Sequence, residues 1–181
     1  MDLDRISFSS QKLIERAKTR DPFRIAEEIG IKVRFKDLGK LMGMYKYFDK
    51  YNRFITINQS LYRCAQIVIC HHEIGHDIND QDIAKNSILQ DSWINIKDPI
   101  ELRANMHAVE TQFDDHDILE LIEYGYTVDQ IAMETGTYSD YVAIKLEMLR
   151  HKGYKLRQIE YDPHFLRVAE GKQNGSYYSS C

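Results

Sequence analysis

The chain has 181 residues, of which 43% are hydrophobic and 29% are charged, as is usual for a soluble globular protein and not for a disordered or membrane-embedded one. A formal net charge of -4 argues against a large phosphate-binding surface, so nucleic acid is not the first partner to consider. The three cysteines are scattered and form no CxxC pair, which disfavours a disulfide framework or a cysteine zinc cluster. We expect them to be buried or free thiols.

The sequence also lacks the signals of membrane insertion or export. Its longest apolar stretch is too short to span a bilayer, and the N-terminal segment MDLDRISFSSQK has no apolar run of the kind found in secretory signals. We therefore expect a cytoplasmic protein without a membrane partner.

Helical signals come first along the chain. Residues 10–18 and 22–28 are predicted to form short helices. The second of these has Asp21 as its N-cap, Pro22 at its first helical position and Gly30 just beyond its end.

A strand pattern follows over residues 31–58. The runs IKVRF, MGMYKYF and RFITIN alternate apolar and polar side chains, and residues 38–39 and 49–52 have the composition of turns. We predict a small three-stranded antiparallel meander.

From residue 60 to about 78, apolar side chains recur at helical spacing, and His72 and His76 continue the inward-facing stripe. Residues four apart lie on one face of a helix, so the two imidazoles can point at one ion while Glu73 lies beside it. This is the HExxH arrangement, in which two neutral histidines bind zinc and the glutamate accepts a proton from water. We interpret His72 and His76 as zinc ligands and Glu73 as the general base.

The alternative is a pair of core histidines without a metal. The nitrogens of a buried stripe need partners, and a metal ion supplies one directly. Gly75 favours the metal site, because glycine inside a helix costs about 1 kcal/mol relative to alanine and usually marks close approach by another group. His71 points about 100° away from His72 around the helix, and we expect a flanking surface or supporting residue rather than a ligand.

A catalytic zinc ion normally has three protein ligands and one open position. A further helix is predicted to begin at Asp98 and Pro99, with Glu101 and Asn105 one turn apart. Glu101 is a candidate third ligand, but a capping-box glutamate would occupy the same position. Rival ligands on or near this segment are His107, Glu110 and His116. Spacing alone leaves the third ligand open.

The last third of the chain carries a second signal, over residues 126–154. Thr127 and Gln130 form a predicted capping box, Gly136 lies at helix-turn-helix spacing, and a second helix begins at about Ser139. The second helix carries acidic residues and an apolar stripe. We therefore favour a plain helical hairpin over a DNA-binding unit, and DNA is not an expected partner.

The chain resembles the ImmA/IrrE family of zinc metallopeptidases over most of residues 10–152. The matching stretches, in order, are TRDPFRIAEEIGI, GMYKYFDKYNRFITIN, HEIGH and ELRAN. The resemblance implies zinc as cofactor, Glu101 as the third ligand, and Asn105 as a supporting residue. The chain departs from the family pattern at His107, where relatives usually have an aromatic residue, and at His71, where they often have a small or apolar one.

The resemblance implies an α+β, zincin-like fold with a mostly helical remainder. We expect a metallopeptidase region over residues 1–124, a helix-turn-helix-like hairpin packed on it over residues 125–170, and a disordered tail over residues 171–181.

The resemblance further implies a zinc endopeptidase that cleaves a helix-turn-helix repressor of a phage or mobile element and so derepresses its genes. Family members can require an activator protein. The alternative function is a regulatory protein- or DNA-binding module that keeps the zincin shape without peptidase activity. An extended substrate is expected to pair with a sheet edge around residues 44–48. Donors to the oxyanion remain open among Tyr45, Tyr47, Arg103 and His107.

Overall fold

The computed structural model of the chain describes residues 3–86, 88–91, 98–156 and 159, which form eight helices and four strands. The helices are α1 (Leu3–Ala17), α2 (Pro22–Glu28), α3 (Arg63–Asn79), α4 (Gln81–Asn86), α5 (Pro99–Gln112), α6 (Asp115–Glu123), α7 (Val128–Thr135) and α8 (Ser139–His151). The strands are β1 (Lys32–Lys36), β2 (Gly43–Asp49), β3 (Asn52–Asn58) and β4 (Leu89–Asp91). The predicted α+β class is confirmed. The predicted disordered tail, residues 171–181, lies outside the described residues.

The predicted bounds agree with the structure for α2 but not for α1. α2 has the predicted bounds, and the Asp21 carboxylate accepts a hydrogen bond from the Phe23 backbone N–H at 2.9 Å. α1 begins at Leu3 rather than at residue 10. Its extra turns bury Ile6 on the same face as Leu13, so packing against the core extends the helix beyond the predicted start.

The sheet is mixed, with strand order β1-β3-β2-β4. β2 and β3 form the predicted antiparallel hairpin, but β1 pairs with β3 in parallel. The predicted antiparallel meander is therefore wrong. The segment between β1 and β2 crosses from one side of β3 to the other. The Asn58 side-chain amide holds this segment by donating to the Gly39 and Leu41 carbonyls at 3.1 and 2.8 Å.

The fourth strand covers part of an edge that was expected to be free. β4 pairs antiparallel with β2, opposite residues 43–45. The expectation of a free edge over residues 44–48 is therefore wrong for Met44 and Tyr45, which lie between β3 and β4. The alternation of apolar and polar residues in β2 indicates which side chains face the core. It does not indicate which strands lie next to β2 in the sheet.

The buried helix α3 lies between two hydrophobic cores. Ile69, Cys70 and Ile74 pack into a core with the sheet and α2. Val68 packs into a second core, built mainly from α5, α6, α7 and α8. Every residue from Val68 to Asp77 is buried, so the polar side chains of this helix must find their partners inside the protein. None of the described helices is both long and apolar enough to cross a membrane.

The C-terminal hairpin contributes to the second core. Its first helix has the predicted capping box, and Gly136 ends that helix in the left-handed conformation, with φ of 61°. The second helix, α8, is buried over residues 141–146 and at Met148 and Leu149. Most of α8 therefore packs against the rest of the protein, and its exposed residues, Arg150 and His151, lie in its last turn.

A cluster of charges centred on the buried Lys145 and Glu110 joins α5, α6 and α8. The Lys145 ammonium lies 2.8 Å from Glu110 Oε1 and 2.5 Å from Asp115 Oδ1. Lys152 lies 2.6 Å from Glu110 Oε2 and 2.8 Å from Asp115 Oδ2. Burial raises the pKa of Glu110, but the charges and hydrogen bonds of the two lysines outweigh burial and hold this pKa below its usual range.

We expect Lys145→Met to lower the free energy of unfolding by about 3 kcal/mol, because it leaves the buried Glu110 carboxylate with one cation fewer. Urea unfolding measures the change. The matched control is Lys85→Met, which removes an exposed ion pair with Asp82 and should leave stability close to wild type. Equal effects of the two substitutions would contradict a stabilising role for this cluster of charges.

Candidate metal centre

The site is built on an unusually close contact between α3 and α5 at Gly75. A Cβ atom placed on Gly75 would lie 2.8 Å from the Ala104 carbonyl oxygen and 2.9 Å from the Ala104 Cα, well inside van der Waals contact. The predicted close approach of another group at this glycine is confirmed. Because the backbones meet here, Glu101 and Asn105 of α5 lie directly against the histidines of α3.

His72, His76 and Glu101 come together at this contact, with one candidate ligand atom from each lying within 4.8 Å of the others. Nε2 of His72 lies 3.2 Å from Glu101 Oε2, and Nε2 of His76 lies 3.6 Å from Glu101 Oε1. Ligand atoms around a tetrahedral zinc ion are about 3.4 Å apart, given bonds of roughly 2.0–2.1 Å. Both distances from the Glu101 carboxylate to the imidazoles are close to this value, so the three side chains are near enough to share such an ion.

The other ring nitrogen of each histidine faces an oxygen acceptor. Nδ1 of His72 lies 2.7 Å from Asn105 Oδ1, and Nδ1 of His76 lies 2.9 Å from Asp80 Oδ2. An acceptor at Nδ1 favours the tautomer that is protonated there, which leaves a lone pair on Nε2. Both Nε2 atoms face Glu101, so the donor set has the chemistry of a zinc site with oriented imidazoles.

Asp80 also belongs to this site and is not among the residues predicted from the sequence. It follows His76 by four residues, so the helical spacing was available as a signal. Its second oxygen pairs with Arg103 of α5. Asp80 thus orients His76 and also links the C-terminal end of α3 to α5.

Glu73 is completely buried and lies on the sheet side of α3. A Cβ atom on Gly43 of β2 would overlap the Glu73 Oε1 atom and the Ile69 side chain. The absence of a side chain at Gly43 therefore makes the room that the Glu73 carboxylate occupies. Among the described residues, Glu73 is not part of the three-residue ligand group.

The rival ligands do not join the three-residue group within the described part of the chain. Glu110 pairs with Lys145 and Lys152, and His116 is exposed near the start of α6. His107 is completely buried, and in the described residues neither of its ring nitrogens has a hydrogen-bond partner. Burial lowers the pKa of His107 to about 4, although the charge of Glu110 acts in the opposite direction.

His71 is buried rather than on the surface. Its Nδ1 atom lies 2.9 Å from the Thr111 hydroxyl of α5, and burial lowers the pKa of the ring to about 3. Of the two positions expected from the angle to His72, on the surface or in support of the site, the surface one is wrong, because α3 is covered on both sides. His71 is therefore a neutral contact between α3 and α5.

Two of the candidate oxyanion donors are held in other contacts. The Tyr45 hydroxyl donates to Asp77 Oδ1 at 2.6 Å, while Arg53 binds Asp77 Oδ2, also at 2.6 Å. Arg103 binds Asp80. These contacts tie α3 to the sheet and to α5, so Tyr45 and Arg103 have structural partners in this arrangement.

A buried helix with two histidines one turn apart, the glutamate after the first of them, and a carboxylate from a second helix are the features of a zincin-type protein. The chain belongs to the Peptidase M78 family, described as IrrE N-terminal-like domain, whose model matches residues 26–152. This is a family of metallopeptidases, and the matched region includes the hairpin as well as α3 and α5. The expected family resemblance is confirmed.

A phage protein is also similar in sequence. The chain is 31% identical over 141 residues to "Uncharacterized immunity region protein 2" of Bacillus phage phi105. The match covers 77% of this chain and 88% of the phage protein.

We expect Gly75→Ala to lower the free energy of unfolding by about 1–3 kcal/mol, because the added methyl group forces α3 and α5 apart. Alanine's better helix propensity, about 1 kcal/mol, acts in the opposite direction. The measurement is urea unfolding with a chelator present. Adding Ala104→Gly should not restore stability, since the overlap is with backbone atoms; a variant as stable as wild type would refute the close contact.

A second prediction concerns pH. The pKa of His107 is about 4 in the fold against an ordinary value of 6.5, so the unfolded chain takes up a proton here first as pH falls. The stability that neutral His107 contributes is complete above pH 6.5 and is lost by about pH 4, a change of about 3 kcal/mol. Chelator-treated wild type should thus lose more stability than His107→Leu across this window. Parallel curves would contradict the prediction.

Proposed function

We propose that the protein is a zinc-dependent endopeptidase in which His72, His76 and Glu101 bind the ion and Glu73 is the general base. The observation that carries the proposal is the convergence of both Nε2 atoms on the Glu101 carboxylate, at 3.2 and 3.6 Å. Two imidazoles and one carboxylate are the ligand set of many catalytic zinc sites, which keep a further position open. When bound, zinc would supply Lewis-acid activation of water and of the scissile carbonyl.

The residues around the proposed ligands have separate tasks. Asn105 and Asp80 hold the two rings with Nε2 toward the ion, so the site is organised before an ion binds. Glu73, held against Gly43, accepts the proton of the attacking water and passes it to the leaving amine. The His76 side chain has no exposed surface, whereas that of Glu101 is 15% exposed. Substrate is therefore expected to approach from the Glu101 side.

For the substrate, we propose a helix-turn-helix repressor of a phage or mobile element, cut so that its genes are derepressed. Support comes from the family membership and from the similar phage protein, whose name places it in an immunity region. A repressor acts in the cytoplasm, so the proposal places the peptidase there. An activator protein is proposed as a further partner on the resemblance to the family.

The test combines zinc analysis with cleavage of a purified candidate repressor. Wild type should hold about one zinc ion per chain. Glu101→Ala should weaken zinc binding strongly. The loss should exceed the roughly 10–100-fold that is typical when only an outer hydrogen-bond partner of a ligand is removed. Glu73→Gln should keep the zinc and lose about 10²–10⁴-fold in cleavage rate, since it removes only the proton acceptor.

The matched control is Glu123→Ala, which removes an exposed glutamate of α6 and should keep both zinc and cleavage. A wild-type protein that binds no zinc when supplied with it would overturn the proposal and favour a regulatory binding module. Full cleavage by Glu73→Gln would leave the metal site standing but refute the role of Glu73.

A further inference from the structure

We propose that Tyr141 of the hairpin helix α8 is a positioning residue for the zinc ligand His72, acting through Asn105. The inference rests on the proposed function and extends it. The Tyr141 hydroxyl donates to Asn105 Oδ1 at 2.9 Å, and the same oxygen lies 2.7 Å from Nδ1 of His72. A three-residue chain of hydrogen bonds thus runs from α8 through α5 to the metal-binding helix α3.

The chain of hydrogen bonds is enclosed by protein. Tyr141 and Asn105 have no exposed surface, and His72 is 3% exposed. In such surroundings hydrogen bonds are stronger than in water, and losing one is costly. Asn105 Nδ2 has no hydrogen-bond partner among the described residues, so both contacts of this amide converge on its oxygen.

The orientation of the amide decides which tautomer His72 adopts. With oxygen toward His72, Nδ1 carries the proton and Nε2 keeps the lone pair that a metal requires. With the amide rotated by half a turn, the NH₂ group would donate to Nδ1, and the ring proton would move to Nε2. That tautomer cannot bind the ion. Donation from Tyr141 stabilises the oxygen in its productive position.

Tyr141 lies beyond residue 124, where the metallopeptidase region was expected to end. The α8 helix carries this tyrosine in its first turn and is fixed by Lys145, one turn further on, through Glu110 of α5. The hairpin therefore supplies part of the machinery that orients a ligand, and the site is incomplete without it.

The experiment measures the zinc dissociation constant of the full-length protein by competition with a chelator. The variants are Tyr141→Phe, Asn105→Leu and their combination. Tyr124→Phe is the matched control, because it removes an exposed hydroxyl that donates to Glu120 within α6. Tyr141→Phe should weaken zinc binding about tenfold, the lower end of the range for outer hydrogen-bond partners, and the control should match wild type.

The double variant separates positioning from a purely structural role. If Tyr141 acts through Asn105, Tyr141→Phe has no further effect in the Asn105→Leu background. An equal loss in both backgrounds would overturn the inference, as would wild-type affinity in Tyr141→Phe. In the latter case the proposed peptidase would stand. A wild type that binds no zinc would overturn both.

Ring nitrogen chemical shifts of His72 in the metal-free protein provide a second readout that needs no bound zinc. Wild type should show the Nδ1-protonated tautomer, and Tyr141→Phe should shift the population toward Nε2 protonation. Identical tautomer populations in the two proteins would overturn the inference. This measurement also decides the matter if the Asn105→Leu variants do not fold.

Discussion

The backbone contact between α3 and α5 at Gly75 is the constraint on which the site depends. The two helices meet with no side chain between Gly75 and the Ala104 backbone, and this brings the next turns of α5 within reach of the histidines. Glu101 then faces both Nε2 atoms, while Asn105 meets Nδ1 of His72. The separation of the helices thus sets the distances among the three candidate ligands. Those distances depend on main-chain packing more than on any single polar contact.

Such packing places many polar groups inside the protein, and each buried charge carries a desolvation cost of several kcal/mol unless it is paired. In this structure, nearby partners of opposite charge or with hydrogen-bond donors offset the desolvation cost. Asp77 is bound by Arg53 and Tyr45 on the sheet side of α3, and Asp80 is bound by Arg103 on the α5 side. These pairs also fix the C-terminal half of α3 against rotation. The polar contacts that stabilise the helix therefore also fix the direction in which its histidines point.

The sequence predicts those features that depend on residues close together along the chain, and it does not predict contacts between distant segments. The spacing of His72 and His76 and the cap at Asp21 are local patterns, and the structure places both as expected. Strand alternation gave the segments of the sheet but not the parallel pairing of β1 with β3, because periodicity encodes a face and not a neighbour. The burial of His71 likewise depends on helices distant in sequence. Glu101 was selected among its rivals by resemblance, since spacing did not distinguish them.

In the hairpin formed by α7 and α8, local sequence signals likewise predict the structure but not what the structure binds. Its capping box and its left-handed Gly136 give the sequence the appearance of a helix-turn-helix. Any tight connection between two helices satisfies the same end groups in the same way, so these features indicate a turn and not a ligand. What distinguishes a recognition helix is an exposed face, and α8 is instead enclosed over most of its length. Its buried Lys145 and Tyr141 both reach α5, so these two polar residues of the second helix make contacts inside the protein.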